Sequence, residues 1–242
     1  MNEANNNLNP SAADKNGLPC IAILGGTGAE GGGLAFRWAA AGYRVFIGSR
    51  DADKAGAAAA QINASLGLGA SAKASGGSNA DAARQADMVV LAVPYAAQVK
   101  TALAVHEHLA GKIVVDVTAP LKPPKVSRVQ LPEGGSCVQA LQTQLGPAVK
   151  LVSAFQNVGA HHLRDLSFQI DCDVLVCGDD RAARQEVVVL VTAAGMRGIH
   201  GGPLANSAAS EALTSVLIWI NQNYKVPGAG IRISGLPESP AL

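Results

Sequence analysis

The stretch Ile21-Ala-Ile-Leu-Gly-Gly-Thr-Gly-Ala-Glu-Gly31, with Gly32 and Gly33 behind it, decides the fold. Its first residues close an apolar run, Leu18 to Leu24, that reads as a buried parallel strand. Its last residues lead into a helical pattern from Gly33 to Gly42, with Leu34, Ala35, Trp38 and Ala39 at helical spacing and Gly42 as the stop. Between strand and helix stands G-x-G-x-x-G at Gly26, Gly28 and Gly31, a spacing that becomes specific in this strand–turn–helix context. Gly26 is expected to make the tight turn. Gly28 would let the backbone approach a diphosphate, and Gly31 would let the helix pack on the strand. The helix start adds unpaired N–H groups and a positive dipole end. Thr27, Ala29 and Glu30 complete the loop, with Glu30 read as an exposed first-turn acid.

Moving outward, Tyr43 to Ile47 reads as a second strand, and it ends Phe46-Ile-Gly-Ser-Arg50. A dinucleotide site selective for NAD carries Asp or Glu at this tip, to accept from the ribose 2′-hydroxyl. Here a hydroxyl and a guanidinium stand instead, and they suit the 2′-phosphate of NADP. Lys54 adds a second positive charge, and Asp51 and Asp53 are expected to point outward. Asp51 is the expected N-cap of a helix over Lys54 to Ala64.

The alternation continues. A short strand is expected at Ala70 to Ala74, then a helix over Ala80 to Gln85 capped by Asn79. A strand at Met88 to Val93 is broken by Pro94, and a helix follows from Ala96 to Leu109. Further strands are expected at Ile113 to Val117 and Leu151 to Phe155, with a helix around Val138 to Leu145. This rhythm predicts an α/β fold with a doubly wound parallel sheet, the NAD(P)-binding Rossmann type. Afterwards come a strand at Asp173 to Cys177, a helix at Arg181 to Ala194 and a long helix at Ser207 to Tyr224. The long helix is expected to bury Ala212, Leu213, Val216, Leu217 and Ile220. The expected division is a disordered tail over 1–17, a Rossmann domain over 18–160, and a small, mainly helical carboxy-terminal domain over 161–242.

In such a sheet the ligand crosses the carboxyl ends of the strands. Three ends qualify: Val93-Pro94-Tyr95, Val117-Thr118-Ala119-Pro120 and Phe155-Gln156-Asn157-Val158. Val93 and Pro94 are expected to pack on the ribose and nicotinamide side. Gln156 and Asn157 are polar anchors for the carboxamide or for a second substrate.

Composition narrows the alternatives. With 48% hydrophobic and 15% charged residues, the 242-residue chain has enough apolar material for a real core. A net charge of +1 and 4% aromatic residues argue against nucleic acid or a membrane surface as partner. Cys20, Cys137, Cys172 and Cys177 lack C-x-x-C spacing and read as small buried hydrophobes in a reducing cytosol. No signal peptide and no membrane-length apolar run is seen, so the expected location is the cytoplasm. No metal site is expected, since His161 and His162 are adjacent, His106 and His108 lie on one exposed helix face, and His200 is alone. No Tyr-x-x-x-Lys pair follows the loop, and no residue stands out as a catalytic proton donor for a carbonyl. Hydride exchange between two bound redox cofactors needs mainly proximity and alignment.

Several motifs together resemble one family. Leu24-Gly-Gly-Thr-Gly, Gly33-Leu-Ala-x-Arg37, Ala41-Gly42 and Ile47-Gly-Ser-Arg-x-x-x-Lys54 are similar to the NADPH-dependent coenzyme F420 reductases. So are Asn79-x-x-Ala82, Val93-Pro94, Lys112-Ile-Val-Val115, Val152-Ser-Ala154, Val176-Cys-Gly-Asp-Asp180 and Gly202-Pro-Leu-x-Asn-Ser207. The resemblance implies hydride passing between NADPH and an 8-hydroxy-5-deazaflavin, coenzyme F420, with a flavin as the related acceptor. It also implies a small closing domain and a homodimer. It places cofactor contacts on Thr27, Gly28, Ala29, Glu30, Ser49, Arg50 and Lys54, with Val93, Ala160 and Ala229 beyond them. The deazaflavin side falls near Gln156 and Val158; the chain departs from the family at Gln156, where the family carries His. Two other readings stay open: reduction of another small heterocycle or carbonyl, and a non-catalytic NADP-sensing protein.

Overall fold

The computed structural model describes residues 17–69 and 73–236. The expected tail therefore lies, apart from Gly17, outside the described residues, as does most of the expected strand at Ala70 to Ala74.

Eight strands form one sheet in the order β3-β2-β1-β4-β5-β6-β7-β8. They are β1 (Ile21–Leu24), β2 (Val45–Ser49), β3 (Ala74–Ser78), β4 (Met88–Leu91), β5 (Ile113–Asp116), β6 (Lys150–Ser153), β7 (Asp173–Gly178) and β8 (Arg197–Gly202). The helices are α1 (Ala29–Ala40), α2 (Ala52–Ser65), α3 (Asn79–Gln85), α4 (Gln98–Leu103), α5 (Cys137–Leu145), α6 (Arg181–Ala193) and α7 (Ser207–Tyr224). All pairings are parallel except β6 with β7.

The sheet is doubly wound, as expected, because its strands are apolar on both faces. In β1, Ile21 and Ile23 join a core with α1, α2 and α6. Ala22 and Leu24 join a second core with α3, α4 and α5. Burying such an aliphatic side chain contributes roughly 1.5–3 kcal/mol. A run with no polar residue therefore has nowhere to sit but the middle of the sheet.

The expected mainly helical carboxy-terminal domain needs correction. After residue 160 the chain adds β7 and β8 to the same sheet, with α6 packed on it. Strand β8 escaped the sequence reading because Arg-Gly-Ile-His-Gly-Gly has neither alternation nor an apolar run. Other boundaries also move. Helix α1 begins four residues before Gly33, and α3 is capped by Ser78, whose Oγ accepts from the Asp81 amide at 3.1 Å, and not by Asn79. The expected helix Ala96 to Leu109 is a 3-10 turn, the short α4 and a second 3-10 turn at His106–His108.

Helix α7 forms at the expected place but faces differently. It buries Ser207, Ser210, Glu211, Ser215 and Leu217, while Val216 is 43% and Trp219 52% exposed. The reason is Glu211. Its carboxylate accepts from Ser136 Oγ (2.6 Å), Cys137 N (2.8 Å) and Val138 N (3.3 Å), and so caps the start of α5. A buried acid serving another helix's free amides sets the rotation of α7 against the apolar stripe.

Candidate functional site

The site lies where β1, β2, β4, β5 and β6 end. At the tip of β1 the chain turns at Gly25, which has φ +85°. The tight-turn role given to Gly26 belongs to Gly25. A side chain on Gly25 would also meet Ala92 O at 2.3 Å and Val93 Cγ1 at 2.7 Å. Gly26 instead makes room for Ile47, 2.9 Å from where its Cβ would stand. Gly31 lies against Gly25 O (2.9 Å) and the Ala92 methyl (3.0 Å), the close helix–strand approach expected of it.

Gly28 is the N-cap of α1 and no side chain caps that helix. Among the described residues no backbone oxygen receives the N–H of Ala29, Glu30 or Gly31. These are the free donors of a helix start, beside a position where a Cβ would meet only Gly25 O, at 3.3 Å. A diphosphate fits this cradle on its donor chemistry.

At the tip of β2, Ser49 is half-buried and Arg50 exposed. Ser49 Oγ accepts from Asp51 N at 3.2 Å. Asp51 caps α2 as expected, accepting from Lys54 N at 3.1 Å, and this bond holds its carboxyl below the usual range. Lys54 Nζ stands 3.4 Å from the Asp51 carboxylate, so part of its charge is already answered. Arg50 has no ion pair or hydrogen bond among the described residues, and its guanidinium is the open cation of this corner.

Glu30 is half-buried, where the sequence suggested an exposed acid. Loss of water pushes its carboxyl up to about 8, and the Asp116 charge adds to the rise. Asp116, at the tip of β5, is fully buried. Burial pushes it up to about 6, opposed by hydrogen bonds from Thr118 and Gln98. Thr118 N donates to it at 2.8 Å and Gln98 Nε2 at 2.5 Å. Sequence reading missed this carboxyl network, because Asp116 and Gln98 look like ordinary residues at a strand end and a helix start.

The β6 tip holds the expected second-substrate residues. Phe155 has φ +74°, rare for a bulky residue and worth about 1–3 kcal/mol of strain. Its buried ring packs edge-on against Trp38 at 5.9 Å, and that contact holds the kink. The kink turns Gln156 inward. Gln156 Nε2 donates to Asp116 O at 2.8 Å, while its Oε1 is buried without a partner. Asn157 donates to Asp173 O at 2.6 Å and so ties β6 to β7; its Oδ1 also lacks a partner. Gln156, Asn157, Val158 and Ala229 line one small cavity of about 60 Å³ against α7. The Ala229 amide donates to Asn221 Oδ1 at 2.7 Å. Val93 is half-buried and Pro94 exposed, and Ala160 opens a 3-10 turn beside α1.

Residues 20–120 match the family model described as NADP oxidoreductase coenzyme F420-dependent. The F420-dependent NADP reductase of Methanocaldococcus jannaschii is 42% identical over 221 residues, 89% of this chain and 98% of that protein. This chain belongs to the F420-dependent NADP reductase family. The enzyme of the same name from Methanothermobacter thermautotrophicus is 38% identical over 223 residues, 90% of this chain and 96% of that protein. Among solved structures, a putative F420-dependent NADP reductase from Arthrobacter sp. FB24 superposes with a TM-score of 0.74 at 29% identity. It covers 90% of this chain and 100% of its own. These similarities cover about nine tenths of this chain, well beyond the glycine turn and residues 20–120.

Proposed function

We propose that this chain passes a hydride between NADP(H) and a deazaflavin of the coenzyme F420 type, with a flavin as the related acceptor. The observation that carries the cofactor half is the pairing of an uncapped α1 with a β2 tip that holds Ser49 and Arg50 and no carboxylate. NADPH, when bound, supplies the hydride. Gly26, Thr27, Gly28, Ala29 and Glu30 give the diphosphate a backbone cradle. Ser49, Arg50 and Lys54 hold the 2′-phosphate. Val93, Pro94, Ala160 and Ala229 line the path toward the nicotinamide. Gln156, Asn157 and Val158 face the acceptor, and Gln156 Oε1 and Asn157 Oδ1 are the unpaired acceptor atoms of that group.

The division near residue 160 is then one of role: most nucleotide contacts fall before it, the acceptor residues Gln156, Asn157 and Val158 stand beside it, and later residues such as Ala229 close over that side. Exposed Val216, Trp219 and Tyr224 on α7 support a homodimer through that helix, which light scattering on the purified chain tests. Four buried free cysteines support a reducing, cytoplasmic setting, and a fluorescent fusion imaged in cells tests it. Among the described residues no helix is long and apolar enough to cross a membrane.

Mixing the protein, NADPH and a deazaflavin should abolish the nicotinamide absorbance at the rate the deazaflavin is reduced. Tight NADPH binding without turnover over deazaflavin, flavin and carbonyl acceptors would overturn the enzyme reading in favour of a sensor. Turnover with a carbonyl or another heterocycle alone would replace the acceptor.

A further inference from the structure

The triple glycine Gly31-Gly32-Gly33 asks for more than helix–strand packing, since each glycine inside a helix costs about 1 kcal/mol against alanine. Gly31 is explained by β1 and β4. Gly33 is explained by Leu163, whose Cβ would lie 2.4 Å from a Cβ there. Gly32 faces something else. Its Cβ would stand 2.8 Å from Arg164 Nη2 and 2.9 Å from Gly26 O. The Arg164 guanidinium therefore lies over the first turn of α1, beside the glycine loop.

It is held there from behind. Arg37, 6% exposed, donates to the carbonyls of His162 (3.0 Å), Leu163 (2.9 Å), Asp165 (2.8 Å) and Phe168 (3.3 Å), and to Ala194 O (3.1 Å). Leu163 is fully buried against α1. The segment that carries Arg164 is thus fastened at Arg164's neighbours on both sides. Arg164 itself is exposed and has no ion pair or hydrogen bond among the described residues. The adjacent acid does not neutralise it, because Asp165 spends its carboxylate on Ser167 N (3.0 Å) and Ser167 Oγ (2.6 Å). An unanswered guanidinium beside three free amide donors is a setting for a phosphate, which the guanidinium fork fits in two-pronged fashion.

We propose that Arg164 is a further phosphate-binding residue for the dinucleotide, supplied by the turn after β6 and reaching across α1. The proposal rests on the reading that NADP(H) lies at the α1 start. Its consequence is that nucleotide affinity depends on the closing half of the chain as well as on the glycine turn.

The test measures dissociation constants of the full chain for NADPH, NADH and 2′-AMP, by calorimetry or nicotinamide fluorescence. Arg164→Ala should weaken NADPH roughly tenfold, the size of a charge-assisted bond, while the melting temperature of the free protein stays unchanged. Arg164→Lys should recover part of the loss, and the salt dependence of NADPH binding should be shallower in Arg164→Ala. If NADH weakens equally and 2′-AMP does not, Arg164 holds the diphosphate; if NADPH and 2′-AMP weaken and NADH does not, it holds the 2′-phosphate. Both results support the proposal. Wild-type NADPH affinity in Arg164→Ala overturns it. Arg50→Ala is the control for the underlying reading: it should weaken NADPH by roughly 10- to 100-fold and spare NADH. If Arg50→Ala leaves NADPH binding intact, the nucleotide site itself is misplaced, a failure distinct from that of Arg164.

Discussion

Two turns on the same edge of the sheet are built in opposite ways. The turn after β1 is nearly bare: Gly25, Gly26 and Gly31 to Gly33 let neighbouring groups pack close, and the N–H groups of Ala29, Glu30 and Gly31 reach no backbone acceptor among the described residues. The turn after β6 is crowded: Phe155, Gln156 and Asn157 are all buried, the backbone is strained, and the amide groups are bonded to β5 and β7. A diphosphate is recognised by peptide N–H groups that every residue owns, so its site needs absence of side chains. A redox ring has no such generic handle and must be met by placed side chains.

If that contrast holds, substitutions in the two turns should fail differently. The largest effect is expected from Gly28→Val. Its Cβ would meet only one protein atom, Gly25 O at 3.3 Å, and fills the phosphate side, so NADPH affinity should fall more than roughly 100-fold, about 2.8 kcal/mol, while circular dichroism shows a folded protein. Retained affinity would remove the cradle. An intermediate effect is expected from Gln156→Leu. It should raise KM for the deazaflavin roughly tenfold and leave the NADPH dissociation constant within about twofold. Equal losses for both ligands would erase the distinction between the turns.

The smallest effect concerns Glu30, which sits in the bare turn yet faces the carboxyl network. Its folded-state value is raised to about 8 from 4.5, so the folded protein keeps a proton the unfolded chain has released. Stability should therefore fall as pH rises from about 4.5 to about 8 and level off above that. In melting curves taken across this range, Glu30→Gln should show a shallower decline than the native protein. Parallel curves would show that Glu30 does not hold that proton.

Much of the bare turn was legible because its physics is local. Strand β1, the cradle glycines and the Ser49–Arg50 tip follow from neighbours in the chain. The crowded turn was named as Gln156, Asn157 and Val158, but its geometry was not readable. The Phe155 kink depends on Trp38, and the Gln156 orientation on Asp116. Arg37 stood only as one residue of a family motif, and Arg164 belonged to no motif; their roles depend on the fold laying the segment around residue 164 on α1.

The sequence by itself determined five of the sheet's first six strands, β1, β2, β4, β5 and β6, and pointed to a phosphate turn and to NADP as the cofactor, because apolar runs, glycine spacing and one missing carboxylate act over a few residues; β3, Ala74–Ser78, shares only Ala74 with the strand expected at Ala70 to Ala74. Only the tertiary structure decided that β7 and β8 continue that sheet, that α7 turns its serine and glutamate face inward, and that Glu30 and Asp116 lose their water. Those outcomes come from groups more than twenty residues apart competing for the same buried space, and no local pattern records who wins.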